Sequence, residues 1–243
     1  ALASRYDVHE AVFDPMYGMD FAGERPPVSL DQGAVSRGPL RPLLNLRRRV
    51  RRLRRIKREL GTDICISHLE GAHYVDVLSR QGEKTVLCVH GSILHNRSIG
   101  GPVGWLRRHL LIPRLYNRAD RVVTVSRDIV PELVGLGVDA RKVRAIPNFF
   151  DINEIAQEAN EPLEPGEDAI FADGAVIVAS GRLHEQKNPL AMLDVFARIR
   201  SERPCRLVWL GDGPLRHAMI AHGRNLGLSL GQTGESADVY LLG

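Results

Sequence analysis

Short apolar runs rich in Val, Ile and Leu alternate along this chain with stretches of helical period, and that alternation is the strongest constraint on its fold. Continuous apolar runs mark strands buried on both faces. Such strands occur in parallel sheets whose crossover connections are helices. Strands are expected at residues 8–13, 63–69, 85–90, 121–126, 143–147, 175–180, 206–210 and 239–242. Helical patterns fill 43–60, 71–80, 104–118, 127–136, 152–159, 189–202 and 214–227. Ser126, and Asp212 ahead of Gly213-Pro214, mark helix starts. The expected class is α/β, with parallel sheets covered by helices on both faces.

Two stretches break the alternation. Residues 14–42 are rich in Pro, Gly and Ser without sustained periodicity and read as a long loop. Residues 160–174 (NEPLEPGEDAIFADG) carry acids and two prolines and read as a linker. The expected organisation is a Rossmann-like domain over 1–160, a linker at 161–174 and a second, incomplete domain over 175–243, the two sheets facing a cleft. With 44% hydrophobic and 26% charged residues in 243, the composition is that of a globular protein with a sizeable core. Cys65, Cys88 and Cys205 each sit in an apolar run and are odd in number, which fits buried thiols of a reducing compartment. No apolar stretch is long enough to span a bilayer and no signal-peptide pattern opens the chain, so a cytoplasmic location is expected.

Open parallel sheets bind ligands beyond the carboxyl ends of their strands, and polar residues and glycines gather there. The segment Val176-Ile-Val-Ala-Ser-Gly-Arg-Leu-His-Glu-Gln-Lys-Asn188-Pro189 ends a strand at Gly181, places Arg182 and Lys187 in a short loop, and opens a helix with Asn188 as N-cap and Pro189 in its first turn. Backbone donors, the positive end of a helix, a guanidinium fork and an ammonium suit a diphosphate. The competing reading is two cations that solvate a loop. His90, followed by Gly91 and Ser92, is the acid/base candidate of the first half, against a plain loop histidine. Gly211-Asp212-Gly213 permits close backbone approach at a helix start, although a lone G-x-G is a weak signal. His68, Glu70 and His73 in SHLEGAH lack the spacing of a zinc helix, so no metal site is expected.

Residues 41–58 (RPLLNLRRRVRRLRRIKR) hold ten of the 33 Lys and Arg and no acid, leaving 23 basic against 29 acidic residues elsewhere. Leu46, Val50, Leu53 and Leu60 fall on one helical face. Arg47, Arg48, Arg51, Arg52, Arg54, Arg55 and Arg58 are candidates for contact with an anionic membrane surface. A merely solvated helix face remains open. Nucleic acid is disfavoured because no aromatic side chain interleaves the arginines.

The succession VVTVSRDIVPELVGLGVDARKVRAIPNFFD, VIVASGRLHEQKNPLAMLDVFARIR and CRLVWLGDGPLRHAM resembles glycosyltransferase family 4, the retaining, sugar-nucleotide-dependent transferases of the GT-B fold, over roughly residues 60–243. The resemblance implies that Arg182 and Lys187 bind the donor diphosphate and that His90 lies near the transferred sugar. It likewise places Gly181, Gly211, Asp212 and Gly213 beside the nucleotide. It makes the first domain the acceptor side and the second the donor side. The implied reaction moves a sugar from a nucleotide-diphosphate sugar to an acceptor glycan or lipid-linked saccharide, in the setting of bacterial surface polysaccharide synthesis. The Arg-rich helix resembles that of members bound at the inner face of the cell membrane. Two cations at a helix start stabilise a leaving diphosphate without a divalent ion, so no cofactor is expected. The family's opening strand with its glycine-rich turn, and a downstream pair of glutamates, have no counterpart here, which implies a longer enzyme and little activity in these residues alone. The competing classes are a sugar-nucleotide epimerase or phosphorylase-like enzyme of the same fold, and a non-enzymatic membrane-binding module.

Overall fold

The computed structural model describes residues 5–13, 26–31, 41–94, 101–163, 165–172 and 174–243. The chain divides into two compact units, Ala1–Phe150 and Asp151–Gly243.

In the first unit, β1 (Ala11–Val12) pairs in parallel with β2 (Val28–Ser29). The second of these lies inside the stretch expected to be loop. Within that stretch 14–25 and 32–40 fall outside the described residues, while 41 and 42 already belong to the first long helix. There follow α1 (Arg41–Leu60), β3 (Ile64–His68), α2 (Glu70–Ser79), β4 (Lys84–Val89) and α3 (Gly101–Leu106). The last helix runs through a turn of π geometry, Arg107–Leu111, into α4 (Ile112–Tyr116). Pro113 has no N–H to offer the carbonyl of His109, and the widened turn accommodates that gap. Then come β5 (Arg121–Thr124), α5 (Ile129–Gly135) and β6 (Val143–Ala145). The main sheet has the order β3-β4-β5-β6 with every pair parallel.

Alternate side chains of a strand point to opposite faces. On one face Leu87, Val89, Val122 and Val143 pack with Ile112, Tyr116 and Leu133 of the helices in one buried cluster. The opposite face departs from the expectation of helices on both sides. Among the described residues it stands bare, with Ile64, Ile66 and Ile146 more than half exposed at 57%, 53% and 58%.

His73 lies inside the covered layer. Its Nε2–H donates to the carbonyl of Cys88 at 3.1 Å, and its Nδ1 accepts from the Tyr116 hydroxyl at 3.0 Å. This neutral tautomer saturates both ring nitrogens, and burial depresses the pKa from 6.5 to about 4. Between those values the unfolded chain binds a proton that the folded one refuses. Stability of the first unit is therefore expected to fall by about 1.4 kcal/mol per pH unit as the pH drops from 6.5 toward 4. Urea titrations at pH 7 and pH 5 measure this, and a flatter profile is expected from His73→Gln.

Helix α1 docks on α2 through Leu53, against Leu30 and Val75, with Leu46, Val50 and Ile56 beside them. Leu60, expected on this face, is 44% exposed at the last turn. The position one turn beyond Leu53 belongs to Lys57. Its Nζ lies 2.6 Å from Asp76 Oδ1, 2.6 Å from Glu83 Oε1 and 3.2 Å from the Asp76 carbonyl. All three side chains are at most 3% exposed. Nearby, burial pushes the Cys65 thiol up to about 12, with the charge of Asp76 adding to it, so this cysteine is an inert thiol. No cysteine is disulfide-bonded.

The second unit begins with α6 (Ile152–Glu158), capped by Asp151, whose carboxylate accepts from the N–H groups of Asn153 and Glu154. The expected linker contains a helical turn, α7 (Asp168–Phe171), whose Ile170 is 1% exposed and packs on Val208 and Tyr240. Next come β7 (Ala175–Ser180), α8 (Pro189–Glu202), β8 (Cys205–Leu210), α9 (Arg216–Asn225), β9 (Leu230–Gly231) and β10 (Val239–Leu242). The sheet order is β7-β8-β10-β9, again all parallel. Leu207, Trp209, Val239 and Leu241 meet Leu193 and Phe196 of α8 and Met219 of α9 in its main core.

Candidate functional site

In the second unit the polar positions converge at the carboxyl ends of β7 and β8. After Ser180 the chain turns at Gly181, whose φ of +148° and lack of Cβ leave room for the Lys187 stem; a Cβ there would lie 3.1 Å from Lys187 Cε. The indole Nε1–H of Trp209 donates to the Gly181 carbonyl at 2.8 Å, and the fully buried Leu183 pins the loop from below. Arg182 and Lys187 are both exposed, and neither side chain makes a hydrogen bond or ion pair among the described residues. Two unpaired cations sit five positions apart on a loop fixed at its base.

The start of α8 departs from expectation. Asn188 makes no side-chain cap; it adopts a left-handed conformation, φ 48° and ψ 52°, at the end of a 3-10 turn over Glu185–Lys187. Asparagine tolerates that region better than most residues. Pro189 then starts the helix, as expected. With no side chain spent on the cap, the first N–H groups of α8 lack a side-chain acceptor.

The Gly211-Asp212-Gly213 turn owes its glycines first to its neighbour. A Cβ on Gly211 would lie 2.7 Å from the Gly181 carbonyl oxygen, and one on Gly213 would lie 2.6 Å from that of Leu183. The Leu183 N–H donates to the Asp212 carbonyl at 3.0 Å, and the Leu215 N–H donates to the Leu183 carbonyl at 3.0 Å. The Asp212 carboxylate turns into its own loop, accepting from the Gly213 N–H at 2.8 Å and lying 3.5 Å from Arg216. Gly213→Ala is expected to destabilise the second unit by about 1–3 kcal/mol through backbone overpacking. Thermal unfolding of the variant measures it, and an unchanged midpoint would mean the two loops are not in contact.

In the first unit, His90 follows β4 at the carboxyl edge of its sheet. His68 ends β3 opposite Cys88 and lies on the same sheet face. Its Nδ1 is 2.7 Å from His90 Nε2, with ring centroids 5.0 Å apart and the planes tilted by 36°. One proton bridges the pair. Burial and then the neighbouring charge of His90 lower the pKa of His68. Leu69, just after His68, has φ 69° and ψ 149°, a strained backbone for a leucine. Both sides of it are tied. His68 holds His90, and Glu70 receives a two-pronged bond from Arg107 and a further one from the Tyr74 hydroxyl. The loop after His90 is held by Glu132 of α5, whose Oε1 accepts from the N–H groups of Ile93 and Leu94 at 2.5 and 2.8 Å. Sequence reading missed Trp209 and Glu132 and saw His68 only as an unconvincing metal ligand. Strand parity does link His68 to His90 once the register is known. Among the described residues no three His, Cys, Asp or Glu side chains group as metal ligands.

The arginines of α1 are not equivalent. Arg48 and Arg49 converge on Asp31, and the Arg49 guanidinium also lies 3.9 Å over the Phe13 ring. Arg54 donates to the Leu78 carbonyl at 2.7 Å, and Arg58 approaches Gln81 at 3.5 Å. Arg47, Arg51 and Arg55 form an exposed stripe at four-residue spacing, without side-chain partners among the described residues. With His9 and Val28 they line a groove of about 850 Å³.

Two all-parallel α/β units, one ending in an imidazole pair and the other in a cationic loop ahead of a helix, define a protein of the GT-B class. A glycosyltransferase from Rickettsia africae shares the fold with a TM-score of 0.60 at 15% identity, over 89% of this chain and 55% of its own. Anabaena HepE, crystallised with UDP and glucose, does so with a TM-score of 0.59 at 19% identity, over 90% of this chain and 56% of its own. The chain belongs to Glycosyltransferase Family 4, whose sequence model matches residues 1–154. An uncharacterised glycosyltransferase of Methanocaldococcus jannaschii is 35% identical over 103 residues, 42% of this chain and 24% of the relative. The chain thus spans about a quarter of that curated relative's length. No helix among the described residues is long and apolar enough to cross a membrane.

Proposed function

We propose that this chain is part of a retaining glycosyltransferase that moves a sugar from a nucleotide-diphosphate sugar to an acceptor glycan or lipid-linked saccharide. The observation that carries the reading is the pair of unpartnered cations, Arg182 and Lys187, on a loop held by Trp209 and Leu183 at the end of β7. Cleavage of the glycosidic bond to a nucleoside diphosphate leaves negative charge on the departing phosphate. Cations already in place lower that barrier without reorganising during the step. Arg182 supplies a planar fork and Lys187 a mobile point charge, and the first N–H groups of α8 add a positive dipole end. These groups suffice in principle without a divalent ion. The presence of UDP and glucose in the Anabaena protein of the same fold supports this class of donor. His90, its Nε2 engaged by His68, is the residue placed nearest the transferred sugar in this reading.

The stripe Arg47, Arg51 and Arg55 supports attachment to an anionic membrane at the inner face of the cell, as suits synthesis of a bacterial surface polysaccharide. The tied residues Arg48, Arg54 and Arg58 then contribute less than their number suggests.

A panel of nucleotides and nucleotide sugars tested by thermal shift on the full-length enzyme addresses the donor. At a hundred times its dissociation constant a true donor adds about 2.7 kcal/mol of stability to the native state. A midpoint raised by UDP or a related nucleoside diphosphate, and not by the nucleoside, is expected. No response to any nucleoside diphosphate would sink the reading. Product analysis with a labelled donor separates transfer from epimerisation.

A further inference from the structure

We infer that His68 is a positioning residue for the transfer: it holds the ring of His90 in the Nε2–H tautomer and leaves the other ring nitrogen, Nδ1, as a bare acceptor. The inference rests on the reading that places His90 beside the transferred sugar. His68 Nδ1 lies 2.7 Å from His90 Nε2, and neither ring makes another hydrogen bond among the described residues. A single proton fills that contact, so the tautomers of the two rings are locked together. If His68 donates, both rings carry their proton on Nδ1. If His90 donates, both carry it on Nε2, the form a neutral histidine side chain intrinsically favours, and the preference is satisfied twice. Burial, and then the charge of His90, oppose a charge on His68. A proton entering the pair therefore resides on His90, whose Nε2–H still donates, and the same orientation persists.

A ring can position another only if its own place is fixed, and His68 is tied on both sides along the chain. On the strand side, parallel pairing sets it opposite Cys88, two residues before His90. On the helix side, Leu69 keeps φ 69° and ψ 149°, a backbone that persists in a leucine only where its surroundings over-determine it. Its carbonyl accepts from the His73 N–H at 3.1 Å, and the next residue, Glu70, is gripped by Arg107 and Tyr74. The chain after His90 is fixed as well, since Glu132 accepts from the N–H groups of Ile93 and Leu94. Strain held at the link between a strand end and a helix start, beside a ring pair at the carboxyl edge of the sheet, marks a positioned group.

The full-length enzyme with 15N in its histidine rings reads the tautomer directly, and His90→Gln identifies the signal. At about pH 8, where imidazoles are neutral, His90 is expected to show a protonated Nε2 and a bare Nδ1. In His68→Leu both signals should move toward the averaged values of a free ring. His68→Leu should also lower kcat about ten- to a hundredfold with little change in KM, as for a reacting geometry that loosens without loss of binding. His68→Asn, whose side-chain carbonyl reaches the place of Nδ1, should recover most of that loss. His68→Gln, which reaches the place of Nε2, should not. Melting midpoints of the variants verify the fold, and if the Leu variant does not fold the contrast between Asn and Gln decides. Equal turnover of the Asn and Gln variants overturns the inference, as does an Nδ1–H signal for His90 in the wild type. A defect in His90→Ala with full turnover in His68→Leu overturns the inference alone. Wild-type turnover in His90→Ala overturns the placing of His90 at the sugar, and the inference with it.

Discussion

Lys57→Ala is expected to cost the first unit about 3–5 kcal/mol, because it strands two carboxylates inside the protein without their cation. That is a large part of the 5–15 kcal/mol that usually holds a domain together. The buried ammonium holds Asp76 of α2 and Glu83 of the following turn, so its loss also detaches α1 from the sheet layer. The effect has a pH signature. Burial opposes the charge of Glu83, but hydrogen bonds from Lys57 and from the Gln81 N–H outweigh it and hold the carboxyl below its ordinary range. In the native protein this stabilisation is complete above the ordinary carboxylate pKa and lost as the pH falls through the lowered one. In the variant the lysine's share is gone and only backbone N–H groups such as that of Gln81 still oppose burial, so the carboxyl shifts upward. The deficit should therefore be greatest near pH 7 and shrink toward pH 5. Denaturant titrations of both proteins across that range measure it. The triple variant Lys57→Met, Asp76→Asn, Glu83→Gln should recover most of the loss. A single-variant deficit below about 1 kcal/mol would mean that the cluster is solvated.

Arg182→Ala and Lys187→Ala are each expected to lower turnover of the full-length enzyme by about 10² or more, the usual consequence of removing one preorganised donor from a developing anion. The two should differ in kind. Arg182→Lys retains charge but loses the fork, and most of the defect should persist. Lys187 lies with its stem over Gly181, so Lys187→Met, which keeps the stem, isolates the charge from the packing. If the groups act on the leaving phosphate, the loss appears in kcat more than in KM. Wild-type turnover in both variants would falsify the diphosphate clamp.

Much of the architecture was legible because strand runs such as 175–180 and 85–90 are apolar throughout and helix 189–202 begins on a proline. The bare face of the first sheet was not legible. Ile64 and Ile66 look the same in sequence whether a helix covers them or not. Lys57 was hidden for the opposite reason. It stands four residues after Leu53 on the apolar stripe of α1, yet among nine other basic residues it reads as one more solvated charge. Its burial depends on Asp76 and Glu83, some twenty residues away, which no local pattern connects. In the loop that carries Arg182 and Lys187 the residue types are plain, but the left-handed Asn188 reads in sequence as a capping side chain, since both uses favour asparagine. The glycines of 211–213 signal close approach. Only the fold reveals that the nearest thing approaching is the neighbouring loop.

The wholly parallel pairing of both main sheets also bears on how the chain reaches its structure. A hairpin closes after a two-residue turn, whereas every pair in these sheets must wait for a crossover helix to fold back. No strand pair in either main sheet can serve as a local seed, and loop closure precedes any reward from pairing. Folding of each unit should be slow for its size and governed by its helices. During that interval the isoleucines of β3, the end strand of the sheet among the described residues, lie open, so the yield of native protein is set by a race between crossover closure and association of chains.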